Sequence, residues 1–273
     1  MSTVFRILEL LEQNILGTLA NCSAILRLFS PTRLEISVTE VSNLLGMPKS
    51  SASRLLKAMR EEGLLRNLGQ SPRYGIGDFL FTLARLHRNN SSLVQLADRA
   101  LADLSRKTGH TGYVSILDGA EVMVIRVHRG TQPLQVVTPL GQRAPAYATS
   151  TGRVLLARLD NDAIRALHPN RLTPPSENAP RNVGDLLKRV EKARQAGYCE
   201  AIDEAIPGVH SIAVCVSDVE HRETLSFCLS FSSVAVSAAE RRQILRLLTD
   251  SACAIGAEVD DEFWAGNPRA QAA

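Results

Sequence analysis

The sequence predicts an α+β protein of two domains, and three observations carry that prediction. At 273 residues the chain is about twice the length of an average domain. Short helical patterns crowd the first ninety residues, whereas strand patterns alternate with longer helices in the remainder. A polar run, HRNNSS at residues 87–92, separates the two. The expected domains are therefore residues 1–90 and 91–273.

From the N-terminus, residues 4–29 read as a helix with apolar positions Val4, Leu8, Leu11, Ile15, Cys22, Ile25 and Phe29, interrupted by Gly17 and Thr18. Such an arm either packs on its own domain or forms a dimerising seam. Ser37 and Glu40 have the spacing of a capping box, and Val41, Leu44 and Leu45 follow at helical intervals until Gly46. Pro48 opens a second helix at its first helical position and Gly63 closes it. In that helix Ala52, Leu55, Leu56 and Met59 form one apolar stripe. Ser50, Ser53, Arg54 and Lys57 repeat the same spacing on the other side, with no acid among them. Residues 64–68, the turn GQSP and residues 73–76 then read as a short hairpin.

Helix, turn, helix and hairpin in this order define a winged helix-turn-helix, whose second helix would enter the major groove of double-stranded DNA with the wing on the flanking backbone. Charge agrees. Residues 1–90 hold 11 Lys and Arg against 7 Asp and Glu, while the rest of the chain is balanced, so the net +3 resides in the first third. Candidate DNA contacts are Lys49, Ser50, Ser51, Ser53, Arg54 and Lys57 on the helix and Arg66 and Arg73 on the wing, beside Gln70 and Ser71. One such module covers few base pairs, so a homodimer or homotetramer is expected.

Residues 78–88 end the first domain as an amphipathic linker helix, and the second domain begins with a helix at 93–108. Residues 113–117 and 122–127, joined by Asp118-Gly119, read as a hairpin, and residues 134–137 as a third strand. Helices follow at 149–159, 183–195 and 238–258, with strands at 212–216 and 225–231. Such an order gives an antiparallel sheet flanked by helices. The proline-rich stretch 172–180 reads as a surface loop.

The same strings resemble the IclR family of bacterial transcription regulators over nearly the whole chain. VTEVSNLLGMPKSSASRLLKAMREEGLLR (38–66) and RYGIG (73–77) carry the likeness in the first domain, with Gly75 in place of the usual basic residue. GYVSILDGAEVMVIRV (112–127), ATSTGRVLLA (148–157) and GYCEAIDEAIPGVHSIAVCVSD (197–218) carry it in the second. Gly197, Glu204, Ser211, Ile212, Ala213 and Asp218 stand in expected places; Ala201 replaces a common acid and Ser211 a frequent cysteine. The resemblance implies a GAF-like effector domain, often dimers of dimers, and small carboxylates or aromatic acids as effectors. It places Ser211, Cys228 and Ser230 toward the effector and Asp203 near the usual acidic site. Thr149, Ser150, Thr151 and Gly152, at a loop-to-helix junction, are read from the residues themselves as further effector contacts or as a plain N-cap.

Several classes are disfavoured. P-loop, GxGxxG, GxSxG and HExxH are all missing, so no catalytic residue and no cofactor is assigned; the alternative, a small-molecule enzyme with an appended nucleic-acid module, lacks a recognisable nucleophile or base. Cys199, His210, Cys215 and His128 could in principle gather around a metal, but the cysteines sit at core-like strand positions and no metal is expected. Five scattered cysteines, a charged start without a cleavage site and no bilayer-length apolar run lead to a cytoplasmic protein with reduced thiols and no membrane partner.

Overall fold

The computed structural model describes residues 17–265 apart from 31, 68, 70, 84–90, 134, 135 and 137. The arm seam from Val4 to Ile15, Gln70 at the wing tip and most of the expected third strand lie outside the described residues. The chain divides into two compact units, Met1–Asn90 and Ser91–Ala273.

In the first unit, helix α1 occupies residues 17–26, followed by α2 (Val38–Leu45), α3 (Lys49–Glu61), β1 (Leu65–Asn67), β2 (Tyr74–Ile76) and α4 at 78–83. Ser37 caps α2 in a complete capping box: its hydroxyl accepts from the Glu40 N–H while the Glu40 carboxylate accepts from its backbone N–H at 2.7 Å. Gly46 (φ 65°) ends α2 in the left-handed region that glycine enters without penalty. Pro48 takes the N-cap of α3, one position earlier than expected, so Lys49 is the first helical residue. Ile25, Ile36, Val41, Ala52, Leu56, Met59 and Leu65 form one buried cluster that fixes α3. The antiparallel hairpin β1–β2 is anchored to the loop before α2, where Ile36 and Tyr74 exchange both backbone hydrogen bonds.

The second unit is an antiparallel six-stranded sheet in the order β5-β4-β3-β8-β7-β6. Its strands are β3 (Thr111–Asp118), β4 (Glu121–His128), β5 (Arg143–Pro145), β6 (Tyr198–Ile202), β7 (Val209–Asp218) and β8 (Glu223–Ser232). Helices α5 (Ser92–Thr108) and α9 (Ala238–Glu258) pack on one face through Leu93, Leu101, Phe227, Phe231, Leu248 and others, with Trp264 of α10 (Glu262–Ala265) beside them. On the other face lie α6 (Ser150–Leu156), α7 (Asn161–Leu167) and α8 (Val183–Ala196), around Val154, Leu156, Ile164, Leu186 and Val190. Alternation along β8 sends Phe227, Leu229 and Phe231 to the first core and leaves Cys228 and Ser230 on the second face.

The structure adds β5, β6 and α7 to the expected elements and moves two boundaries. The helix expected at 149–159 has only seven residues, Ser150–Leu156, with Thr149 as its cap. Strand β6 was not anticipated: YCEAI is short and carries the strand-disfavouring Glu200 and Ala201 between its better strand formers, and it is held by pairing with β7. Strand β7 starts at Val209, three residues before the expected strand. The open edge of β6 is covered from within the chain, because the carbonyls of Glu200 and Ile202 accept from Arg153 Nη2 (2.8 Å) and Asn178 Nδ2 (3.5 Å). No described helix is long and apolar enough to cross a membrane.

Candidate functional site

The outer face of α3 is set by its buried stripe. With Ala52, Leu56 and Met59 turned into the core, Lys49, Ser50, Ser53, Arg54 and Lys57 are exposed and Ser51 is half-buried. Lys57 has only a 3.9 Å contact to exposed Glu61, a pair of negligible strength, and among the described residues no carboxylate reaches Lys49 or Arg54. The face is therefore polar, cationic and unneutralised, with small hydroxyl residues that permit close approach to a phosphate backbone.

On the wing, Arg66 is exposed with a long 3.5 Å contact to Asp78. Arg73 differs: its Nε lies 3.0 Å from Glu35 and its Nη2 3.0 Å from Glu40, so the guanidinium braces the wing against the start of α2. Hydrogen bonds from Ser37 and Arg73 lower the Glu40 pKa from the usual 4.5 to about 2. Because the folded value lies below the unfolded one, this stabilisation is present above about pH 4.5 and is lost as the pH falls toward 2. Acid titration of the unfolding midpoint should show that loss in the parent and a shallower dependence in Glu40→Gln; equal slopes would disprove the linkage.

The second unit encloses a cavity of about 460 Å3 between the sheet and the start of α6. Tyr113, Ser115, Cys228, Ser230, Ser211 and Ala201 line it from the sheet, Val122, Val124 and Ala144 from its β4–β5 side, and Thr149, Ser150 and Thr151 from the α6 end. Ser150 and Ser211 share a hydrogen bond at 2.8 Å, which uses one of their two hydroxyl protons and leaves the other available. Thr149 Oγ1 accepts from the Gly152 N–H at 2.9 Å, so the capping role is real. Tyr113 donates to the Val136 carbonyl and accepts from the Thr138 N–H at 3.0 Å, tying one wall to the sheet. Burial pushes the Cys228 thiol up to about 12, so it stays protonated. Arg143 contributes to the lining, yet its guanidinium is held by Asp118 and Glu121, neither of which lines the cavity.

Six of the eight residues expected at the effector, Thr149, Ser150, Thr151, Ser211, Cys228 and Ser230, meet at this one cavity. Gly152 and Asp203 do not. Gly152 packs against the turn before α6, where an added Cβ would stand 2.1 Å from the Ala146 carbonyl oxygen. Asp203 turns inward on its own loop, its Oδ1 accepting from the Gly208 N–H at 2.7 Å. Sequence reasoning missed the apolar wall of Tyr113, Val122 and Val124, whose signal was the inward alternation of the β3–β4 hairpin, and Ala144 on the short β5. It also missed the buried pair beside the cavity: Arg153 on α6 reaches both oxygens of Glu204, one at 2.9 Å, while Arg189 on α8 lies 3.0 Å from the same carboxylate. Burial alone would lower the Arg153 pKa, but Cys199 and Glu204 raise it above the ordinary guanidinium value. Cys199, Cys215, His128 and His210 form no metal-ligand cluster, and groups able to hold a metal are absent among the described residues.

A winged helix with a bare cationic recognition helix, joined in one chain to a helix-flanked sheet that encloses a small-molecule-sized cavity, is the build of a ligand-responsive DNA-binding regulator. Residues 18–69 match the IclR helix-turn-helix domain and residues 86–257 the bacterial transcriptional regulator IclR C-terminal domain. The chain belongs to the IclR family of transcriptional regulators. Among curated relatives it is similar to the HTH-type transcriptional regulator XynR of Escherichia coli (strain K12), 29% identical over 229 residues, 83% of this chain and 90% of XynR. Among solved structures, an IclR transcriptional regulator from Silicibacter sp. TM1040 superposes with a TM-score of 0.80 at 20% identity, covering 90% of this chain and 97% of that one. An IclR homolog complexed with 4-hydroxybenzoate, from Microbacterium hydrocarbonoxydans, gives 0.74 at 19% identity, covering 89% and 99%.

Proposed function

We propose that this regulator reads a double-stranded operator through α3 and is controlled by a small organic acid bound in the cavity. In this reading it acts in the cytoplasm as a homodimer or homotetramer. The observation that carries the reading is the pairing of an unneutralised recognition face in one unit with a hydroxyl-rich cavity in the other. Lys49, Ser50, Ser51, Ser53, Arg54, Lys57 and Arg66 contact DNA, with Arg73 bracing the wing that carries Arg66. On this basis Arg54→Ala lowers operator affinity by about 1 to 3 kcal/mol and relaxes preference at one base pair. Lys57→Ala weakens all sequences alike and reduces the salt slope by about one unit. Gel shifts on sites selected from random DNA test both; unchanged affinity and unchanged preference for the Arg54 variant would remove it from the interface.

For the cavity, the neutral hydroxyls of Ser150, Ser211 and Ser230 suit a carboxylate, whose oxygens accept several hydrogen bonds while the ligand body meets Val122 and Val124. The 4-hydroxybenzoate held by the similar Microbacterium chain supports this chemistry. The described lining includes no carboxylate, imidazole or amine, which supports binding rather than catalysis. A panel of organic acids beginning with 4-hydroxybenzoate should raise the thermal midpoint of the parent, by a stability increment of about 2.7 kcal/mol at a hundredfold excess over Kd. Ser211→Ala combined with Ser230→Ala should abolish the shift and leave DNA binding in place. A double variant that responds like the parent would move the ligand elsewhere.

A further inference from the structure

Six residues, 203–208, join β6 to β7 and turn over the cavity, which Ala205 and Ile206 help to line. The neck of this loop is closed on itself. Asp203 N–H donates to the Val209 carbonyl at 2.9 Å, Gly208 N–H donates to Asp203 Oδ1, and both Asp203 (φ 56°) and Gly208 (φ 81°) are left-handed. An aspartate is held in that region at a small conformational cost that its local hydrogen bond offsets. Ile206, at the tip, is 49% exposed although it lines the cavity.

One side chain ties the loop to the body of the unit by charge. Glu204 is almost fully buried and takes Arg153 from α6, the helix whose first turn supplies Ser150 and Thr151, and Arg189 from α8. Arg189 also pairs with Asp185 at 3.1 Å, so it keeps a carboxylate partner if Glu204 leaves. Arg153 would lose its carboxylate but keep the carbonyls of Tyr147 and Glu200 and the sulfur of Cys199 as acceptors, so the latch holds firmly and its release leaves both guanidinium groups with polar partners.

We propose that the β6–β7 loop is the gate of the cavity, hinged at Asp203 and Gly208 and latched by Glu204 to Arg153 and Arg189, so that opening it admits and releases the ligand. The biological meaning of the gate rests on the cavity being the effector site; its existence does not.

Cys228 offers a probe independent of any ligand. Its thiol lines the cavity at 3% exposure, whereas Cys215, equally buried at 3%, does not line it. Iodoacetamide labelling of the full-length protein, read site by site by mass spectrometry, separates gate opening from general loosening. Glu204→Gln should raise the Cys228 rate about tenfold or more while Cys215 keeps the parent rate, since only a local opening exposes one and not the other. Arg189→Gln, at a half-exposed position, should give a smaller selective rise and serves if the first variant folds poorly. The gate is overturned if neither variant accelerates Cys228, or if Cys228 and Cys215 accelerate together in both. If labelling follows the gate but the acid panel leaves the thermal midpoint of the parent unchanged, the organic-acid reading fails and the gate stands.

Discussion

Arg153→Ala lowers the stability of the C-terminal unit by about 3 to 5 kcal/mol, the range for breaking a buried ion pair on one side. Arg153 is 1% exposed, and its guanidinium serves Glu204, the carbonyls of Tyr147 and Glu200, and the sulfur of Cys199. Alanine removes all of these donors, leaves a void under α6 and strands the Glu204 carboxylate with only half-exposed Arg189. Lysine would keep the charge but recover little, because a single ammonium cannot span partners on both sides of a planar fork. Urea unfolding followed by the fluorescence of Trp264, the chain's one tryptophan and buried in the same unit, reads the change directly. A loss below about 1 kcal/mol would show that the pair contributes nothing net.

Gly152→Ala has a comparable effect for a different reason. The backbone at Gly152 is helical, so its conformation suits alanine; the obstacle is the turn before α6. An added Cβ would lie 2.1 Å from the Ala146 carbonyl oxygen and 2.4 Å from its Cα, and backbone cannot swing aside as a flexible side chain can. Either α6 or the Ala146–Ala148 turn must shift, at a cost of about 3 kcal/mol or more. Since Ser150 and Thr151 ride on that helix, the acid-dependent thermal shift should vanish with it. An alanine variant that unfolds with the parent's midpoint and keeps its response would show that this approach is relaxed at no cost.

The first unit was legible because its local signals and its packing agree. Ser37, Glu40 and Gly46 mark helix ends chemically, and the Ala52, Leu56 and Met59 stripe determines which face of α3 remains outside. The partners of Arg73 were not legible, since a sequence shows that a cation is present but not that Glu35 and Glu40 will converge on it from another segment. In the second unit the serines and threonines of the cavity were readable from their places at a helix start and on late strands. Strand β6 was not, because its residues acquire strand geometry only from their neighbour. The string around Asp203 points to an acidic group near the ligand, and it gives no sign of the hydrogen bond to Gly208 that closes the neck of its loop. Arg153 gave no signal at all: an arginine in a short helix reads as surface until the fold buries it.

The guanidinium of Arg153 and the amide of Asn178 also occupy outward-facing carbonyls of β6, and this bears on how the protein behaves in a crowded solution. A bare terminal strand offers an incoming extended chain a ladder of acceptors and donors, and recruitment onto it propagates from molecule to molecule. Here two rungs are taken by the molecule's own side chains. Loss of Arg153 therefore does more than loosen one domain: it uncovers a template for strand addition, and the variant's tendency to precipitate should rise more steeply with protein concentration than its lowered midpoint alone would explain.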